Sequence, residues 1–168
     1  MNSWTHRPYE ERNLLNPAFC SVLLWHAARG AASKASSPRN SLSLIEAFLI
    51  LPLVLHEKTR ISIPKVITTS MPIWIDSEPL IVASFPSRCR SLVPHTKEAI
   101  SFGGQKNLFS IENNEIIIIE ALKSNINKFL RETSDEVREC AKKAEFIGRW
   151  FAHTGNPETI FTLLGVRP

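Results

Sequence analysis

Residues 108–122 read LFSIENNEIIIIEAL, and no other stretch of the chain asks so plainly for a β-hairpin. Leu108, Phe109 and Ile111 on one side and Ile116 to Ile119 on the other flank Asn113-Asn114. Asparagine tolerates the positive φ values that a two-residue hairpin turn needs. The segments around the hairpin carry helical patterns, which limits the fold class to mostly α (α+β). The chain is expected to be a single domain over 1–168, made of several packed helices. Helices leading into a hairpin over about 66–119 give the helix-helix-hairpin order of a winged-helix-like unit.

The chain can build such a core. Its 168 residues are 43% apolar and 21% charged, close to the averages for globular domains and far from the composition of disorder. Asn16-Pro17 predicts a helix start, because asparagine accepts from free N–H groups and proline gives up only an N–H that would be unpaired there. That helix should run to about Arg29 with Gly30 as its stop. Phe19, Leu23 and His26 share one face, and Ala18, Val22 and Trp25 another, so it should be buried on more than one side. GAASKASSPRNS, 30–41, reads as a flexible loop. LSLIEAFLILPLVL, at 42–55, reads as a buried helix of about 42–57; Glu46 and Pro52 interrupt it, and it is too short to cross a bilayer.

Pro64, Pro72, Pro79 and Pro86 predict short helices near 66–76 and 78–92. Pro94 can open another helix, with Gly103-Gly104 as its end. After the hairpin a helix is expected at about 121–131. A longer one follows, opened by a Thr133/Glu136 capping box, with Val137, Ala141, Ala144, Gly148 and Phe151 on one face. Glu139/Lys143 and Glu145/Arg149 are spaced to pair on its exposed sides. Asn156-Pro157 repeats the opening device of Asn16-Pro17, and Gly165 closes a short last helix. Trp25, Trp74 and Trp150 read as core anchors.

Catalytic constellations are missing from the sequence. Phosphate-binding glycine loops, H-E-x-x-H and G-x-S-x-G do not occur. His6, His26, His56, His95 and His153 are dispersed. Cys20, Cys89 and Cys140 form no C-x-x-C pair, so neither a zinc knuckle nor a disulfide framework is suggested. Cys20 sits in an apolar helical stretch and reads as a small hydrophobe. No enzyme activity, cofactor or metal is therefore expected. The cysteine usage and the want of an apolar run in MNSWTHRPYEERN point to the cytoplasm without a secretory signal.

A net charge of +4 admits nucleic acid or an acidic protein as partner. From Phe85 to Asn107, in and around the helix before the hairpin, Arg88, Arg90, Lys97 and Lys106 stand against a single acid, Glu98, and are the candidate nucleic-acid contacts. The same arginines also fit a solvated face. The hairpin tip, Glu112-Asn113-Asn114-Glu115, would repel a phosphate backbone. Protein contact is the better fit.

RPYEERNLLNPAFCSVLLWHA at 7–27, ILPLVLHEKTRISIP at 50–64, RSLVPHTKEAISFG at 90–103 and IGRWFAHTGNPETIFTLLGVRP at 147–168 resemble, in the same order, the middle component of bacterial three-component ABC systems. The resemblance spans almost the whole chain. It implies a small non-enzymatic adaptor, encoded beside an ABC-type ATPase and an effector protein, that passes a signal between them in anti-phage defence. It implies no catalytic residues and no membrane partner; nucleic acid would be reached through the complex. Arg149, Ile160, Phe161, Leu164 and Arg167 are the candidate partner-binding residues, on the expectation that part of 157–168 docks outward. Packing of that helix back on helix 17–29 is the alternative.

Overall fold

The structure is a computed structural model that describes residues 13–33 and 39–167. It is mostly helical with a small three-stranded sheet. The centre is helix α1, Pro17–Ala31, started by Asn16, whose side chain accepts from the Ala18 N–H at 2.8 Å. Leu23, Leu24, Trp25, His26, Ala27 and Ala28 are all buried, so α1 hides most of its circumference, as its double apolar face required. Gly30 does not stop it. It lies inside the helix against the backbone of Glu145, where a Cβ would come within 1.9 Å of the carbonyl oxygen. The loop expected over 30–41 is thus helical at its start; its middle, 34–38, lies outside the described residues. At its end Arg39 is held by Glu46 through bonds of 3.0 and 2.6 Å.

The apolar stretch after the loop is not one helix. Leu42–Ser43 forms strand β1, and helix α2, Ala47–Val54, begins only afterwards. Glu46 causes the division: fully buried, it accepts from the Ser43 N–H at 2.8 Å and from Arg39, which turns the chain between strand and helix. Helix α3, Glu57–Ser62, then starts at His56, whose Nδ1 accepts from the Thr59 N–H.

Helix α4, Met71–Ser77, begins later than expected. Beyond it the expected pair of helices is one, α5, Pro79–Gln105, which runs through Pro86 and Pro94. Each internal proline costs about 3 kcal/mol by losing a backbone bond. Burial of Phe85, Cys89, Thr96 and Ala99 along the same helix offsets that cost. Gly103 does not terminate α5 either. A Cβ there would lie 2.3 Å from the ring of Phe109, so the glycine makes room for the first strand of the hairpin. Asn107, at φ 56, carries the chain out of the helix.

The hairpin is β2, Phe109–Glu112, and β3, Glu115–Ile118, joined by Asn113 and Asn114 at φ 52 and 62. Both positive values are what the asparagine pair foretold. β3 is the middle strand, order β1-β3-β2, with Leu42 opposite Ile116 on one side and Phe109 opposite Ile118 on the other. Ile116 is buried while Ile117 is exposed, because successive side chains alternate across the sheet. Only part of the isoleucine run is therefore core.

A single 3-10 turn leads into helix α6, Lys123–Glu132, and then into α7, Asp135–Thr154. Ser134, not Thr133, caps α7 by accepting from the Val137 N–H, and Glu136 reaches across to Arg60. Ala141, Ala144, Gly148 and Phe151 are buried against the core, with α1 the main neighbour of α7. Glu145 binds His26 of α1 at 3.2 Å instead of being left to an exposed pairing within its own helix. The last helix, α8, Pro157–Leu163, is capped by Asn156 and packs on α4 and α7, where sequence reasoning had offered α1 as its support. The tryptophans among the described residues are core: Trp25, Trp74 and Trp150 are all buried, with Trp74 and Trp150 edge to face.

Candidate functional site

Helix α8 turns its apolar residues inward. Ile160, Phe161 and Leu164 are buried, and of the three only Phe161 lines a surface cleft. The cause is the sharp end of the helix. Gly165, at φ +67, lets the Gly165 N–H donate to Thr162 and the Val166 N–H donate to Phe161 at 3.0 Å. This double bond pattern folds Val166 back over Phe161 and carries Arg167 toward α2 and α5.

A cleft of about 280 Å³ results where these three parts meet. Ile45, Phe48 and Leu49 form one wall, Cys89 and Val93 another, and Phe161 with Val166 the third. Arg90 and Arg167, both exposed, stand among the lining residues. Neither makes an ion pair among the described residues, so both guanidinium groups are available at the edge of an apolar hollow. Burial pushes the Cys89 thiol up to about 12, which leaves it a neutral wall group at ordinary pH. The cleft offers apolar contact and two forked donors, a combination suited to binding an apolar side chain accompanied by carboxylates.

The structure thus joins Phe161 and Arg167 with Arg90, which sequence reasoning had placed in two separate groups. The other candidates lie elsewhere. Arg149 is half-buried on α7 and does not line the cleft. Arg88 is turned the other way, for two residues along a helix is more than half a turn. Its guanidinium donates to the Thr59 hydroxyl at 2.7 Å and to the Ile81 carbonyl at 3.2 Å, and burial lowers its pKa. Arg88 therefore locks α5 to α3 and is not a free basic group. Lys97 is exposed on the same side of α5 as Arg90, roughly 20° around the helix. Lys106 lies past the end of α5, with its ammonium 5.9 Å from the ring of Phe102.

The four basic residues consequently do not make one face. The hairpin tip adds two carboxylates directly opposite one another, Glu112 and Glu115. Ile45, Phe48, Val93 and Val166 had not been singled out for binding. Their signal in the sequence is only that of core residues, and the hollow exists because three distant segments meet. No helix among the described residues is long and apolar enough to cross a membrane.

Comparison with curated proteins and with solved structures returns no match. The family model of the ABC-three component (ABC-3C) system Middle Component 3 matches residues 4–168, and the chain belongs to that family.

Proposed function

We propose that the protein is a non-enzymatic, cytoplasmic adaptor that couples the ABC-type ATPase of its three-component system to the effector protein in anti-phage defence. The observation that carries this reading is the apolar cleft edged by Arg90 and Arg167. Its occupant is a segment of one of those two proteins that presents an apolar side chain next to carboxylates. The side chain fills the hollow, and the guanidinium groups fix its orientation through forked hydrogen bonds. A desolvated apolar centre with a charged edge concentrates binding energy at few residues, which suits a component that is bound and released.

Co-expression with the neighbouring ATPase and effector genes tests the reading. Affinity purification through this chain, with ATP and without, should bring down both proteins in one complex. Recovery of this chain alone overturns it.

The second reading is a winged-helix DNA-binding subunit. It is favoured by Arg90 and Lys97 on one side of the helix that precedes the hairpin. Against it stand the internal use of Arg88 and the Glu112/Glu115 pair at the tip. A salt titration of duplex binding distinguishes the two, since phosphate contacts give a steep salt dependence.

A further inference from the structure

A second concave surface shares no residue with the cleft. It is a groove of about 400 Å³ between the chain that leaves α3 and the outer side of α7. Ile61, Pro64 and Phe146 supply its apolar surface, and Arg60, Lys65, Lys142 and Lys143 surround them with only Glu139 in opposition. Ile61 is 73% exposed, so its side chain offers apolar surface among the cations of the groove.

The cations differ in freedom. Arg60 is fixed by the Val54 carbonyl at 2.9 Å and by Glu136 at 3.2 Å. Lys143 donates to the Ile63 carbonyl at 3.3 Å and lies 5.5 Å from the centre of the Phe146 ring. Lys65 and Lys142 are exposed. Burial first, then the charges of Lys65 and Arg60, lower the pKa of Lys143. The cations crowd one another, and an anion in the groove would relieve that repulsion.

We propose that this groove is a docking surface for an acidic protein segment in which carboxylates flank an apolar side chain. The carboxylates meet Lys65 and Lys142, and the apolar group covers Ile61 and Phe146. Nucleic acid fits less well. A phosphate backbone has nothing to bury against Ile61 and Phe146, whereas a protein segment can bring an apolar side chain together with its carboxylates. The inference is independent of the cleft, and it gives the molecule a second attachment point.

The test uses the full chain and a fluorescent peptide alternating glutamate with leucine, followed by anisotropy. The same peptide with glutamine for glutamate and a short DNA duplex serve as competitors. The acidic peptide should bind, added salt should weaken it, and the Lys65→Glu/Lys142→Glu double variant should lose affinity by about ten-fold or more. Both lysines are on the surface, so circular dichroism of that variant should match the parent. All variants are compared in the Arg90→Glu/Arg167→Glu background, so that the cleft, which the proposed function also assigns to carboxylate-flanked apolar side chains, does not contribute to the binding read. Failure of the acidic peptide to bind overturns the proposal, as does equal binding by the double variant. Stronger binding of the duplex, lost in the double variant, would assign the groove to nucleic acid instead.

Discussion

A Cβ built on Gly148 would lie 1.8 Å from the carbonyl oxygen of Ala27. Together with Gly30, which meets the Glu145 backbone in the same way, this residue lets α1 and α7 touch main chain to main chain. Gly148→Ala must push the two central helices apart. It should destabilise by about 3 kcal/mol or more, the upper end of overpacking costs. Gly104 is the control, because a Cβ there meets nothing within 4 Å. Gly104→Ala should stabilise by about 0.5–1 kcal/mol. Thermal melts of the two variants read both signs, each kcal/mol moving Tm by about 2–4 °C.

Glu46 is a fully buried carboxylate whose charge is matched by Arg39. Removing Arg39 leaves that charge stranded among α2 and the start of the sheet. Arg39→Ala should cost about 3–5 kcal/mol by urea denaturation. Replacing Glu46 with glutamine should cost less, since Arg39 is partly exposed and can turn to water.

Arg88 and Arg90 are two residues apart and should behave oppositely. Arg88→Ala breaks bonds to Thr59 and Ile81 and should lose about 1–3 kcal/mol of stability. Arg90→Ala, at an exposed position, should change stability by less than about 0.5 kcal/mol. Paired melting curves decide whether Arg88 is structural.

Acid should act first through His56. Its Nδ1 accepts from the Thr59 N–H and lies 2.7 Å from the Thr59 hydroxyl, so α3 is capped by the neutral ring. Burial, with Arg88 and Lys58 nearby, lowers its pKa from 6.5. The unfolded chain therefore binds the proton more readily. The stability this group contributes is complete above pH 6.5 and falls away as pH drops through that value toward the folded pKa. Glu145 follows lower: the His26 hydrogen bond holds its carboxyl below 4.5, and its contribution is lost only as pH falls beneath that. His56→Asn keeps a capping acceptor that does not titrate. Melting temperature plotted against pH should lose its upper inflection in that variant and keep the lower one.

Local chemistry explains which parts of this architecture were legible in the sequence. Asn113-Asn114, Asn16-Pro17, Asn156-Pro157 and Gly165 act over a few residues, and each sits where its own backbone preference put it. Gly30 and Gly103 had looked like helix ends because glycine's usual local role is termination. Their actual role is long-range, room for Glu145 and for Phe109, and no local pattern carries it. Pro94 looked like the opening of a separate helix for the same reason, since the burial that offsets its cost comes from other helices. In the cleft, Arg90 and Arg167 were picked out for their charge and Phe161 as one of the apolar residues of the last helix. Their convergence depends on the turn at Gly165 and on α2, and so became visible only in three dimensions.

The most direct measurement of the central claim is the composition of the complex formed by the Arg90→Glu/Arg167→Glu variant, co-expressed with the ATPase and effector genes of its system. The chain should fold normally, keep one of the two proteins and lose the other, because the cleft holds one partner by charge-assisted contact. Retention of both proteins at parental stoichiometry would contradict that account.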